Sequence, residues 1–87
     1  KPDDPAILDS LGWVYYRSGN LPQAEIYLRQ ALQGFPDAEI AAHLGEVLWM
    51  QGKHQAAREI WQQSLQRQPD STILRSTMQR LTGSEAL

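Results

Sequence analysis

The chain has 87 residues, 41% of them apolar and 21% charged, with a formal net charge of −2. That is too apolar for a disordered chain, too interrupted by charge for a membrane span, and without the basic stripe that neutralises phosphates in a nucleic-acid binder. With no cysteine, a disulfide framework, a thiolate metal site, a thiol nucleophile and a cysteine-borne lipid anchor are all excluded for this segment.

Lys1 to Asp4 read as the end of a preceding repeat or a linker. Pro2 lies 34 residues before Pro36, where such a repeat would finish. Lys1 opens no signal peptide, as expected of a cytoplasmic chain or of a segment cut from a longer one. A first repeat is expected over 5–37. Leu8, Leu11, Gly12 and Tyr15 follow the i, i+3, i+4, i+7 stripe of a helix that packs on one face. Ser18-Gly19-Asn20 ends it: Gly19 is suited to a left-handed stop, and Asn20 to capping the next helix, with Pro22 in the first turn. The second helix carries Ala24, Tyr27, Leu28, Ala31 and Leu32 and stops near Gly34, ahead of Pro36.

A second repeat is expected over 38–70. Its first helix, from about Asp37, carries Ile40, Ala41, Leu44, Val47 and Leu48 and turns at Gln51-Gly52. Its second carries Ala56, Ala57, Ile60, Trp61 and Leu65 and ends before Pro69. The two halves keep one register: Leu11-Gly12 with Leu44-Gly45, Tyr15 with Leu48, Gly19 with Gly52, Ala24 with Ala57, Leu28 with Trp61, Ala31 with Ser64 and Pro36 with Pro69, each 33 residues apart. A fifth helix, 71–82, turns Ile73, Leu74, Met78 and Leu81 to one side, with Arg75, Gln79 and Arg80 elsewhere. Nothing completes a third repeat, so it reads as a cap over an otherwise bare apolar face, followed by a tail over 83–87.

These residues resemble the tetratricopeptide repeat, whose Trp, Leu-Gly, Tyr, Gly, Ala, Phe, Ala and Pro recur over a 34-residue unit. The first copy offers Leu8, Leu11-Gly12, Tyr15, Gly19, Ala24, Leu28, Ala31 and Pro36. The second offers Ala41, Leu44-Gly45, Leu48, Gly52, Ala57, Trp61, Ser64 and Pro69. Both copies lack the first Trp and are one residue short. The resemblance implies an all-α fold, a right-handed stack of two tetratricopeptide hairpins plus a C-terminal capping helix, and the segment is expected to close a longer array. The segments 9–17 and 41–49 are similar to the C-terminal repeats of proteobacterial outer-membrane lipoproteins of this class. That likeness implies a lipid-anchored parent on the periplasmic face of the outer membrane, acting as adaptor for a carboxyl-terminal processing protease. Without it, a cytoplasmic array fits equally.

Stacked hairpins present a concave face lined by the first helix of each repeat. At about 100° per residue, Asp9, Trp13, Tyr16 and Arg17 lie off the packing stripe of the first copy. Glu39, Ala42, His43, Glu46, Trp49 and Met50 do so in the second. The expected protein- or peptide-binding set is Asp9, Trp13, Tyr16, Arg17, His43, Glu46, Trp49 and Met50. Trp and Tyr are favoured interface anchors. The alternative is that Trp13, Tyr16 and Trp49 pack on one another between neighbouring first helices. Relatives that clamp a carboxylate tail use Lys and Asn on this face. The matching positions here hold Asp9, Trp13, Ala42 and Glu46, which argues against such a ligand.

No catalytic constellation is readable: the serines lack His and carboxylate partners at motif spacing, and no Gly-rich phosphate loop occurs. His43 and Glu46 share a face, but a metal site needs three or four converging ligands. No metal or cofactor is therefore expected, and His43 is expected to face solvent or the groove. The expected function is a protein-interaction scaffold or adaptor, not an enzyme. A structural end-cap and a self-association module, which would make a homo-oligomer, are the alternatives.

Overall fold

The computed structural model describes residues 3–84. Five helices follow one another: α1 Pro5–Arg17, α2 Leu21–Gly34, α3 Ala38–Met50, α4 His54–Arg67 and α5 Thr72–Thr82. α1 packs on α2 and α3 on α4 as two hairpins, α2 lies against α3, and α5 lies along α3 with a lighter contact to α4. The architecture is the all-α hairpin stack that the repeat register implies. The readings of Lys1 and Pro2 as the end of an earlier repeat, and of 85–87 as tail, lie outside the described residues.

Local chemistry sets the helix ends. The side chains of Asp4, Asn20, Asp37 and Ser71 accept backbone N–H groups at the starts of α1, α2, α3 and α5, satisfying donors that have no partner within the helix. Gly19 and Gly52 adopt positive φ, 90° and 82°. This lets Asn20 N–H reach Tyr15 O at 2.8 Å and Lys53 N–H reach Leu48 O at 2.9 Å, closing α1 and α3 in the same left-handed motif.

α3 is the centre of the molecule. Ile40, Ala41, Ala42, Leu44, Val47 and Leu48 are all buried on it, because it has neighbours on several sides. Across from it, Leu28, Trp61, Leu74 and Met78 are fully buried. Two expectations change on α1 and α5. Leu11 is 37% exposed although its repeat mate Leu44 is fully buried. On α3 that flank is covered by α2, whereas no described helix covers it on α1. Ile73 is likewise exposed, and Thr77 is buried beside Leu74 and Met78 instead.

A polar clasp holds the two hairpins together. Glu25 on α2 accepts hydrogen bonds from Gln51 Nε2 at 2.8 Å and Lys53 Nζ at 2.9 Å in the α3–α4 turn, and from Arg29 Nε at 2.8 Å. Burial alone would raise the Glu25 carboxyl; the hydrogen bonds from Lys53, Arg29 and Gln51 outweigh it and hold the group at about 2. The unfolded chain takes up this proton near 4.5, so acid favours unfolding. The contribution is complete above about pH 4.5 and is lost as pH falls through about 2. Arg29 and Lys53 are half-exposed, so Glu25→Gln is expected to cost about 1–2 kcal/mol at neutral pH. Thermal melts of wild type and variant should converge as pH falls across that window; a constant gap would remove Glu25 as the cause.

Candidate functional site

The first helices α1 and α3 and the last helix α5 lie side by side, and two polar links join them on one face. Tyr16 Oη on α1 donates to Glu46 Oε2 on α3 at 2.8 Å. Arg80 Nη2 on α5 donates to the other oxygen, Oε1, at 2.5 Å. Burial, followed by the Glu46 hydrogen bond and charge, pushes the Tyr16 phenol up to about 12, so it stays a donor at any physiological pH. The Arg80 guanidinium is raised by its bond to Glu46. Glu46 is 6% exposed, and a carboxylate that deep is tolerated because both of its oxygens are bonded.

The second link lies nearer the start of α1. His43 Nδ1 and Asp9 Oδ1 are 2.8 Å apart, and the Trp13 ring lies against His43, tilted by 30° with centroids 4.2 Å apart. Trp13 also meets Tyr16 at 4.8 Å. Asp9 to His43 and Glu46 to Arg80 span the same 34 residues: in each case a carboxylate reaches a basic side chain one helix further along the row.

Between α1 and α3 runs a groove of about 510 Å³ lined by Trp13, Tyr16, Arg17, Gly19, Leu21, Glu46 and Met50. Five of the eight expected binding residues therefore share one concavity: Trp13, Tyr16, Arg17, Glu46 and Met50. Met50 is 53% exposed and Arg17 is exposed, while Trp13 and Tyr16 are half-buried. Asp9 and His43 adjoin it through Trp13.

Trp49 is the correction. It does not join Trp13 and Tyr16 but turns onto its own hairpin, stacked on His54 at 3.8 Å, 5.9 Å from the Trp61 ring, with the Arg58 guanidinium 5.1 Å from its centroid. Ala42, which also lies off the packing stripe, is fully buried all the same, because α3 has α1 and α5 beside it as well as its hairpin partner.

Of the two settings expected for His43, solvent or groove, the side chain takes the groove side, half-buried against Asp9 and Trp13. Three ligand atoms, one each from Asp9, Glu39 and His43, lie within 4.8 Å of one another; the sequence reading paired His43 with Glu46 instead. Arg80 was placed on the polar flank of α5 and given no partner, because the stripe of one helix does not say which neighbour its flank meets. The 34-residue offset between acid and base was the available signal.

Residues 10–72 match the sequence profile of the tetratricopeptide repeat. The chain is also 66% identical over 84 residues to the TPR repeat-containing protein PA4667 of Pseudomonas aeruginosa, a match that covers 97% of this chain and 14% of that protein. The two hairpins with their packing glycines, the profile match and this relative agree: the chain belongs to the tetratricopeptide repeat family.

Proposed function

We propose that this segment is a protein-interaction module, taking an extended segment of a partner protein in the groove between α1 and α3. The observation that carries this reading is the groove itself, in which the Trp13 and Tyr16 rings and the exposed Met50 thioether form an apolar floor beside the exposed Arg17. Rigid aromatics bury large area at low entropic cost, and methionine adapts to varied partners. Glu46 is engaged by Tyr16 and Arg80, and Asp9 by His43. Arg17 forms no ion pair among the described residues. The partner that fits presents an apolar or aromatic side chain to the floor and a carboxylate to Arg17. Of the two carboxylates that argued against an anionic tail, Glu46, the one lining the groove, is already paired with Arg80, which weakens that objection.

A scaffold of this family acts by holding partners rather than by catalysis, and the finer reading follows from it. An adaptor in an outer-membrane lipoprotein, presenting a client to a carboxyl-terminal processing protease in the periplasm, rests on the likeness of 9–17 and 41–49 to that class.

The end-cap reading has its own support. Ile7, Leu11 and Val14 form an exposed stripe on α1, while their repeat mates Ile40, Leu44 and Val47 are buried. A further hairpin fits that flank. The relative is several times longer than this chain, as an extended array would be.

Trp13 and Trp49 test the groove against the core. Trp13→Ala in the full-length parent is expected to weaken partner binding by about 2 kcal/mol or more with cooperative melting retained. Trp49→Ala, at a half-buried ring, is expected to lower stability by about 2–3 kcal/mol, less than the ~3–5 kcal/mol of a fully buried aromatic. Unchanged affinity in Trp13→Ala would move recognition to other repeats. A dimer in solution that becomes a monomer in that variant would assign the groove to self-association.

A further inference from the structure

We propose that Asp9, Glu39 and His43 form a binding site for a divalent transition-metal ion of the zinc type, bridging α1 and α3. One oxygen or nitrogen from each of the three lies within 4.8 Å of the other two. A tetrahedral zinc with ligands at about 2.0–2.2 Å holds them roughly 3.3 Å apart, a distance reached by small side-chain rotations. Glu39 and His43 are four residues apart on α3, the spacing that puts two ligands on one helix face. Asp9 comes across from α1 and already meets His43 Nδ1 at 2.8 Å.

Two further features favour a cation here. The His43 ring is held before any ion arrives, by the tilted Trp13 ring against it and by Asp9 at its edge, so little order is lost on binding. Among the described residues no Lys or Arg forms an ion pair with Asp9 or Glu39, in contrast to Glu25 and Glu46, whose charges are answered within the protein. One imidazole with two carboxylates suits zinc better than calcium or magnesium, which favour all-oxygen shells. Three protein ligands leave a fourth position for water, and a bound ion would lock the first hairpin to the second at the entrance of the groove.

Calorimetric titration of the 87-residue protein with zinc chloride tests the site, alongside thermal melts with and without zinc. One ion per chain is expected, with a melting temperature that rises with zinc concentration. His43→Gln and Asp9→Asn should each weaken binding at least tenfold, about the loss seen when even an outer-sphere partner is removed. Glu39 is exposed, so Glu39→Gln keeps the fold and should weaken binding to the same degree. His54→Gln, at the histidine stacked on Trp49, should leave the titration unchanged. No saturable binding up to about 1 mM zinc, binding that survives Glu39→Gln and His43→Gln, or binding lost in His54→Gln would each overturn the site. None of these measurements involves the protein partner, so the groove and the metal site stand or fall separately.

Discussion

Replacing Gly45 by leucine, or even by alanine, is expected to unfold the protein or to remove about 3 kcal/mol or more of its stability. Gly45 is buried in the middle of α3, and a Cβ there would land on the indole of Trp61, against Nε1, Cε2 and Cδ1. Trp61 is fully buried and is the largest such side chain in the core. Its ring is rigid and meets the Cβ with three of its atoms, so the α3–α4 contact must open. Gly12, the repeat mate, meets a milder obstacle: its Cβ would lie 2.7 Å from Leu28 Cγ and 3.3 Å from the Ala24 carbonyl oxygen, one aliphatic side chain and a backbone oxygen rather than three atoms of a rigid indole. Gly12→Ala is therefore expected to cost about 1–2 kcal/mol, less than Gly45→Ala. Gln62→Leu, on the exposed side of α4, should stay within about 0.5 kcal/mol of wild type. Urea denaturation of the set checks the order; a Gly45→Ala midpoint equal to that of Gln62→Leu would refute the packing.

Ending the chain after Pro69 is expected to leave it unfolded or aggregated. α5 supplies Leu74 and Met78, both fully buried, together with Thr77, and they pack mainly on α3. Burying one leucine or methionine is worth about 1.5–3 kcal/mol, so the loss is roughly 3–6 kcal/mol from a domain whose total stability is of the same size. Glu46 would lose Arg80 as well, though with α5 gone its carboxylate would regain water. The exposed apolar flank of α3 then becomes a site for association between copies. Circular dichroism and size-exclusion chromatography of the truncated chain, with Leu74→Ala in the full chain as a milder companion, test this. A monomeric truncation with an unchanged melting temperature would reduce α5 to an appendage.

The five helices and their order were legible in the sequence because their determinants are local. A stripe such as Leu8, Leu11, Gly12 and Tyr15 requires only the geometry of one helix. Asn20 caps α2, Pro22 sits in its first turn and Gly19 stops α1 through atoms a few residues apart. The 33-residue register between the two halves was also readable, since a repeated hairpin must place small residues at the same close approaches, as Gly12 and Gly45 show. The aromatic character of the α1–α3 groove followed from one further step, the angle of Trp13 and Tyr16 away from the hairpin partner.

What the sequence determined by itself was thus the element list, the repeat and the family pattern, all encoded in periodicity and in side-chain size. Tertiary structure alone decided which neighbour each remaining face meets. Trp49 sits at the helical angle of a groove residue yet stacks on His54, because α4 passes close enough to take it. Glu46 also sits at the helical angle of a groove residue yet is buried, with α5 bringing Arg80 beside it from 34 residues away. The same offset unites Asp9 with His43, and Glu39 joins them only because α1 and α3 lie side by side. Helical periodicity describes one cylinder, whereas a central helix such as α3 is covered from several sides by helices whose approach depends on how whole hairpins stack.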